Sequence, residues 1–192
     1  VSPERLAAAM RAERALAAGK TTLFARPEFP DKAACRLLEA AECGNWQRVQ
    51  QCLAKGTPAA TADLNGHTAL HKCAFMGFEA IATLLIASDP GCVNARDLLR
   101  NVPLHAAAFS DNVSIARCLL AAKAEVDPRD AAGNTPLHRA TLEGNHEVAE
   151  LLLLHGAFAN AAGSEQNSPL HFLALGAPEE PELVAGLLLQ HD

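Results

Sequence analysis

Asp130-Ala131-Ala132-Gly133-Asn134-Thr135-Pro136-Leu137-His138 opens a block that continues through Gly144-Asn145 and Val148-Ala149-Glu150-Leu151-Leu152-Leu153 to Gly156-Ala157. Its local chemistry predicts two short helices joined as a hairpin. Thr135 can cap the exposed amides of the first helix, and Pro136 fits the first turn, where its missing N–H has no partner to lose. Gly144 breaks that helix. Val148, Ala149, Leu151 and Leu152 give the second helix an apolar face, and Gly156 suits the left-handed residue that ends it. A single hairpin of this kind cannot bury both its faces, so it needs neighbours above and below.

The neighbours are in the chain. Thr68-Ala69-Leu70-His71, Val102-Pro103-Leu104-His105, Thr135-Pro136-Leu137-His138 and Ser168-Pro169-Leu170-His171 place their histidines 34, 33 and 33 residues apart. A further step back reaches Cys35-Arg36-Leu37-Leu38, followed by Glu39-Ala40-Ala41, a degenerate opening unit. The pattern of turn, T-P-L-H helix, second helix and glycine resembles the ankyrin repeat over residues 31–192. The resemblance implies an all-α solenoid of stacked helix-turn-helix units with short β-turn or hairpin loops. The units are expected at about 31–62, 63–96, 97–129, 130–162 and 163–192, with Leu70, Leu104, Leu137 and Leu170 sharing one interior.

Composition agrees with this and narrows the function. Apolar residues make up 49% of the 192, enough for one continuous core, while 4% aromatics and no Tyr favour Ala- and Leu-rich helices over a β-sandwich. A net charge of −6 argues against a broad phosphate-binding face, so no nucleic acid and no anionic membrane is expected as a partner. Cys35, Cys43, Cys52, Cys73, Cys92 and Cys118 form no C-x-x-C pair and read as reduced thiols. No apolar run reaches the roughly 18 residues that span a bilayer, and no signal-peptide pattern opens the chain. The expectation is a soluble cytoplasmic or nuclear protein.

The sequence carries no complete catalytic pattern. Gly19-Lys20-Thr21 looks like the end of a phosphate-binding loop, but Arg14 stands where that loop needs glycine. The in-register histidines sit about 10 Å apart, the usual helix packing distance, so they cannot share one metal ion. No cofactor, metal or small-molecule substrate is expected. Thr68, His71, His105, Thr135, His138, Ser168 and His171 are read as structural, each imidazole bonding the turn and the hydroxyl three residues earlier. Val102 lacks that hydroxyl, so the His105 pairing is expected to be looser.

Departures from the pattern are informative. Arg100 and Gln166 stand where Gly66 and Gly133 serve the turn, and Lys123 where Gly56 and Gly156 end helices. Each non-glycine at positive φ costs on the order of 1 kcal/mol, so the third unit should be soft. Ser88-Asp89-Pro90-Gly91 and Ala177-Pro178-Glu179-Glu180-Pro181 are insertions expected to turn outward and leave the helices intact. The apolar helix Leu183–Leu189 has no polar unit after it, so the chain is expected to continue or this end to be covered. Residues 1–30 are expected to hold a helix from Ser2-Pro3-Glu4 to Gly19, serving as a cap on the first unit or as a segment that occupies the groove.

The resemblance implies that a partner protein is held on the turn tips and on the exposed side of each first helix. On this chain the helix positions are Phe75 and Met76, Phe109 and Ser110, Leu142 and Glu143, and Leu175; the turn positions include Leu64, Asn65, His67, Leu98, Leu99, Asn101 and Asn134. Phe75, Phe109, Leu142 and Leu175 keep the repeat spacing and should form an apolar column along the groove. Leu98 and Leu99 are apolar at tips that are normally polar, which marks an interaction surface unless they pack on adjacent hairpins. Asn94 in Val93-Asn94-Ala95 resembles the family's hydroxylated loop, although loop geometry also accounts for it. The function expected is a non-catalytic adaptor, scaffold or inhibitor; the alternative is the regulatory or targeting domain of a larger enzyme or channel.

Overall fold

The computed structural model describes residues 32–176, 178 and 181–191. The helix expected within residues 1–30 and the acidic pair Glu179-Glu180 lie outside the described residues. Among the described residues, ten α-helices follow one another in five pairs: α1 Lys32–Glu42 with α2 Trp46–Ala54, α3 Ala69–Met76 with α4 Glu79–Ser88, α5 Pro103–Phe109 with α6 Val113–Ala121, α7 Pro136–Glu143 with α8 His146–Leu154, and α9 Pro169–Gly176 with α10 Pro181–Gln190. Inner helices pack on inner helices in the order α1, α3, α5, α7, α9, and outer helices on outer helices in the order α2, α4, α6, α8, α10. The insertion after α4 folds as a 3-10 turn, Pro90–Asn94, and α4 stays intact.

Each helix starts and stops for a local reason. Thr68 and Thr135 hold extended backbone before α3 and α7, and Pro103 and Pro136 occupy the first turns of α5 and α7. Gly77 at φ 84° and Gly144 at φ 79° end α3 and α7 in the left-handed conformation. The third unit has no glycine for that task, and Asp111 takes the same conformation at φ 53°. Arg100 at φ 61° and Lys123 at φ 64° do likewise, so three of the five left-handed non-glycines among the described residues belong to this unit. Gly66 shows why glycine is favoured at the turn: a Cβ there would lie 2.8 Å from the Leu98 amide nitrogen of the next hairpin.

One hydrophobic core runs through all five pairs. Leu37, Leu70, Leu104, Leu137 and Leu152 are fully buried, and Ala74, Ala82, Ala107, Ala116, Ala140 and Ala149 bury their small faces where neighbouring helices approach closely. Leu170 departs from expectation: it is 40% exposed and is not part of this core. Its counterparts Leu70, Leu104 and Leu137 are fully buried in units that have a described helix pair on both sides, whereas no described pair follows α9 and α10.

The histidines tie the stack together. Nε2 of His71, His105 and His138 donates to the carbonyl oxygens of Asn101, Asn134 and Asn167 in the next unit, at 3.0, 3.1 and 3.1 Å. Their Nδ1 atoms accept from the backbone N–H of Thr68, Val102 and Thr135, at 3.2, 3.2 and 3.1 Å. The His105 bond is therefore no looser than its neighbours. Val102 removes only the hydroxyl partner, and the backbone amide that sets the geometry is unaffected. His171 keeps the local bonds to Ser168 but is exposed.

Pairing also runs backwards. The side-chain amide of Asn112 donates to the carbonyls of Ala74 and Phe75, at 2.8 and 3.0 Å, and that of Asn145 to Ala108 and Phe109, at 2.8 and 3.1 Å. Each pair satisfies carbonyls at the end of the preceding inner helix that would otherwise be orphaned.

Candidate protein-binding surface

The turns set the floor of the surface. Asp63, Asp97 and Asp130 open successive turns, and one carboxylate oxygen of each accepts backbone N–H groups of the same turn: Asn65 and His67, Asn101, and Ala132 and Asn134. The second oxygen faces the inner helices. Lys72 Nζ reaches that of Asp63 at 3.1 Å, and Arg139 Nη2 reaches that of Asp130 at 2.9 Å. In both, the cation stands nine residues after the acid. The third unit has Ala106 at that place, and Asp97 is met by His67 from the preceding turn, at 3.3 Å. The fifth unit has Gly163 and Phe172, so acid and base are missing together.

This pairing governs protonation. Burial pushes the Asp97 carboxyl up, but the bonds from His67 and Asn101 outweigh it and hold it below its ordinary value. Burial likewise opposes, and the His67 amide and Lys72 ammonium more than offset, at Asp63. His67 moves upward because its ring donates to Asp97.

Above this floor lies a hollow of about 420 Å³ between α3, α5 and α7. Its lining includes Lys72, Phe75 and Met76 of α3, Asp97 and Asn101 of the third turn, Ala106 and Phe109 of α5, and Arg139 of α7. Phe75 and Phe109 stack with ring centroids 6.1 Å apart, and they are 51% and 38% exposed. Met76 and Leu175 are exposed as well and Leu142 is half-buried; Phe75, Met76 and Phe109 line the hollow, and Leu142 and Leu175 do not. Ser110 is half-buried and Glu143 exposed beside it.

The turn residues divide. Leu64, Asn65 and Leu98 are exposed, Leu98 at 64%, whereas Leu99 is half-buried. Backbone bonds from Leu98 N to Asn65 O and from Ala131 N to Leu99 O zip adjacent hairpins, and neither leucine lines the hollow. His67 and Asn101 do line it. Asn134 is buried: its Oδ1 accepts from Ser164 N at 2.9 Å and its carbonyl takes His105, so it works between units and presents no contact surface. Asn94 also works between units, its Oδ1 accepting from Glu125 N at 2.9 Å. Asp127, one unit later, repeats that contact on Phe158 N at 3.0 Å. This strut gives Asn94 a structural role between units.

Sequence reasoning missed Lys72, Ala106 and Arg139, and with them the row of acids beneath. The signal was the joint presence of acid and cation nine residues apart in two units and their joint loss in the last.

The family model for ankyrin repeats in three copies matches residues 83–163 and 104–191, and the single-repeat model matches residues 65–98. The chain belongs to the ankyrin-repeat family. Ankyrin repeats are protein-interaction modules, and the hollow with its exposed Phe75 and Phe109 lies on the repeats' inner helices. A relative from Mus musculus, described as an inactive serine/threonine-protein kinase TEX14, is 33% identical over 98 residues, which are 50% of this chain and 7% of that protein. The ankyrin chain thus spans a small part of that relative's length. Among the described residues, no helix is long and apolar enough to cross a membrane.

Proposed function

We propose that this ankyrin array is a non-catalytic adaptor, scaffold or inhibitor that grips a partner protein across the inner helices of the second to fourth units. The observation that supports this reading is the stacked, solvent-open pair Phe75 and Phe109 at the edge of a hollow, with Met76 beside them. Large apolar side chains that are exposed together carry most of the energy when a partner covers them. Leu98 extends the apolar surface at the tips.

The test is a triple variant, Phe75→Ser, Leu98→Ser and Phe109→Ser, all at exposed positions, used beside the intact chain to capture proteins from native cell extract. The variant is expected to keep its helical content and melting transition and to lose the partner. Retained capture by a folded variant would remove the groove from consideration.

A second reading is favoured by the curated relative: an ankyrin segment acting as the regulatory or targeting part of a longer protein, as its 7% coverage there suggests. The length of the natural gene product separates the two.

A further inference from the structure

The three acids under the groove are treated unequally. Asp63 and Asp130 each receive a permanent cation, from Lys72 and Arg139, delivered by the inner helix of their own unit. Asp97 has Ala106 in that place. Its outer oxygen is met instead by the Asn101 amide at 3.0 Å and by the His67 ring at 3.3 Å, a ring whose charge depends on pH. No side chain of α5 reaches Asp97, whose own side chain is 3% exposed and forms part of the wall of the hollow. The hollow touches Ala106 and Asp97 together, with Phe109 one turn further along α5.

We propose that this hollow receives a lysine or arginine side chain of the partner, flanked by a large apolar residue that lies on Phe75 and Phe109. The proposal rests on the groove reading above and adds the partner's chemistry to it. Within the third unit the partner's cation takes the place that Lys72 and Arg139 fill in the second and fourth. The stem of such a side chain packs along apolar walls while its head reaches the acid. Charge supports the choice. The two permanent cations of the hollow, Lys72 and Arg139, are already paired with Glu42, Asp63 and Asp130, which leaves Asp97 as the lining carboxylate without a lysine or arginine, and the chain as a whole carries −6. Repulsion from the two neighbouring cations is small, because each is already paired with acid at 3.2 Å or closer. On this proposal the partner's cation shares the Asp97 oxygen with His67 or displaces that ring, whose side chain is 40% exposed.

A random displayed peptide library panned on the intact chain is the probe. Selected peptides are expected to share a lysine or arginine next to a large apolar residue. Replacing a selected arginine by citrulline, which keeps the shape and loses the charge, is expected to weaken binding by about tenfold or more. The same replacement should have little effect on Asp97→Asn protein, whose amide oxygen still accepts the turn N–H of Asn101. Ala106→Arg should fold as the second and fourth units do and exclude the peptides; should it fail to fold, the citrulline comparison on Asp97→Asn decides alone. Peptides that lack a basic residue yet are lost on Phe75→Ser with Phe109→Ser would overturn this inference and leave the groove reading standing. No enrichment on the intact chain, or peptides indifferent to the two Phe changes, would overturn both.

Discussion

Nε2 of His105 lies 3.1 Å from the carbonyl oxygen of Asn134 in the next unit. Because Nδ1 of the same ring accepts the Val102 N–H, the proton must sit on Nε2 and the ring must be neutral. Protonating Nδ1 would set two donors against each other. Burial pushes His105 down to about 4, and burial likewise lowers His71 and His138. In the unfolded chain these rings titrate at about 6.5.

The unfolded state therefore binds protons first as pH falls from about 6.5, and stability is lost through that window until the folded rings also titrate, near 4 for His105. His105 alone accounts for a loss on the order of 3 kcal/mol. His67 acts with the opposite sign: its raised value adds stability at low pH that fades as pH rises. Urea unfolding at a series of pH values should show a steep net decline on acidification, and His105→Gln should reduce the slope. A stability that is flat across this range would contradict the neutral, Nε2-protonated arrangement.

Asn112→Ala removes two bonds to the end of α3 and leaves the Ala74 and Phe75 carbonyls without that partner. A loss of about 1–3 kcal/mol is expected, and Asn145→Ala should match it at the next interface. Chemical denaturation gives both values. Changes below a few tenths would mean that water replaces these amides at no cost.

Lys123 follows the third outer helix at a left-handed φ of 64°, where Gly56 and Gly156, after the first and fourth outer helices, stand at φ 85° and 87°. Lys123→Gly should stabilise the chain by about 0.5–1 kcal/mol and raise its melting temperature. Lys55→Gly, one residue before Gly56 and at φ −82°, serves as the control and should lower it.

Leu137 and Leu170 hold the same place in their units and differ in burial, 0% against 40%. Leu137→Ala should cost about 2–5 kcal/mol through the cavity it leaves, whereas Leu170→Ala should cost well under half of that. Equal costs would show that the last unit is covered in solution.

Much of this was legible in the chain itself. The spacing of Leu70-His71, Leu104-His105 and Leu137-His138 carried the helix pairs, the stacking and the exposed Phe75 and Phe109, because each follows from one unit's pattern repeated. What escaped reading depends on relations between units. Leu170 looks identical to Leu137 in sequence, and only the lack of a described pair beyond it leaves it open. Asn134 looks like a turn tip, yet the neighbouring turn and His105 enclose it. The acid row and its cations were visible as residues, but a spacing of nine has no meaning until a turn and a helix are brought face to face.

The forward bonds of His71 and His105 and the backward bonds of Asn112 and Asn145 make the interfaces on either side of residues 97–129 use the same plug and socket. Residues 97–129 are thus a cartridge. Cutting them out joins His71 to the Asn134 carbonyl and Asn145 to the end of α3, keeps the ladder whole, and deletes Ala106; grafting them between other cartridges carries the unfilled acid to a new address.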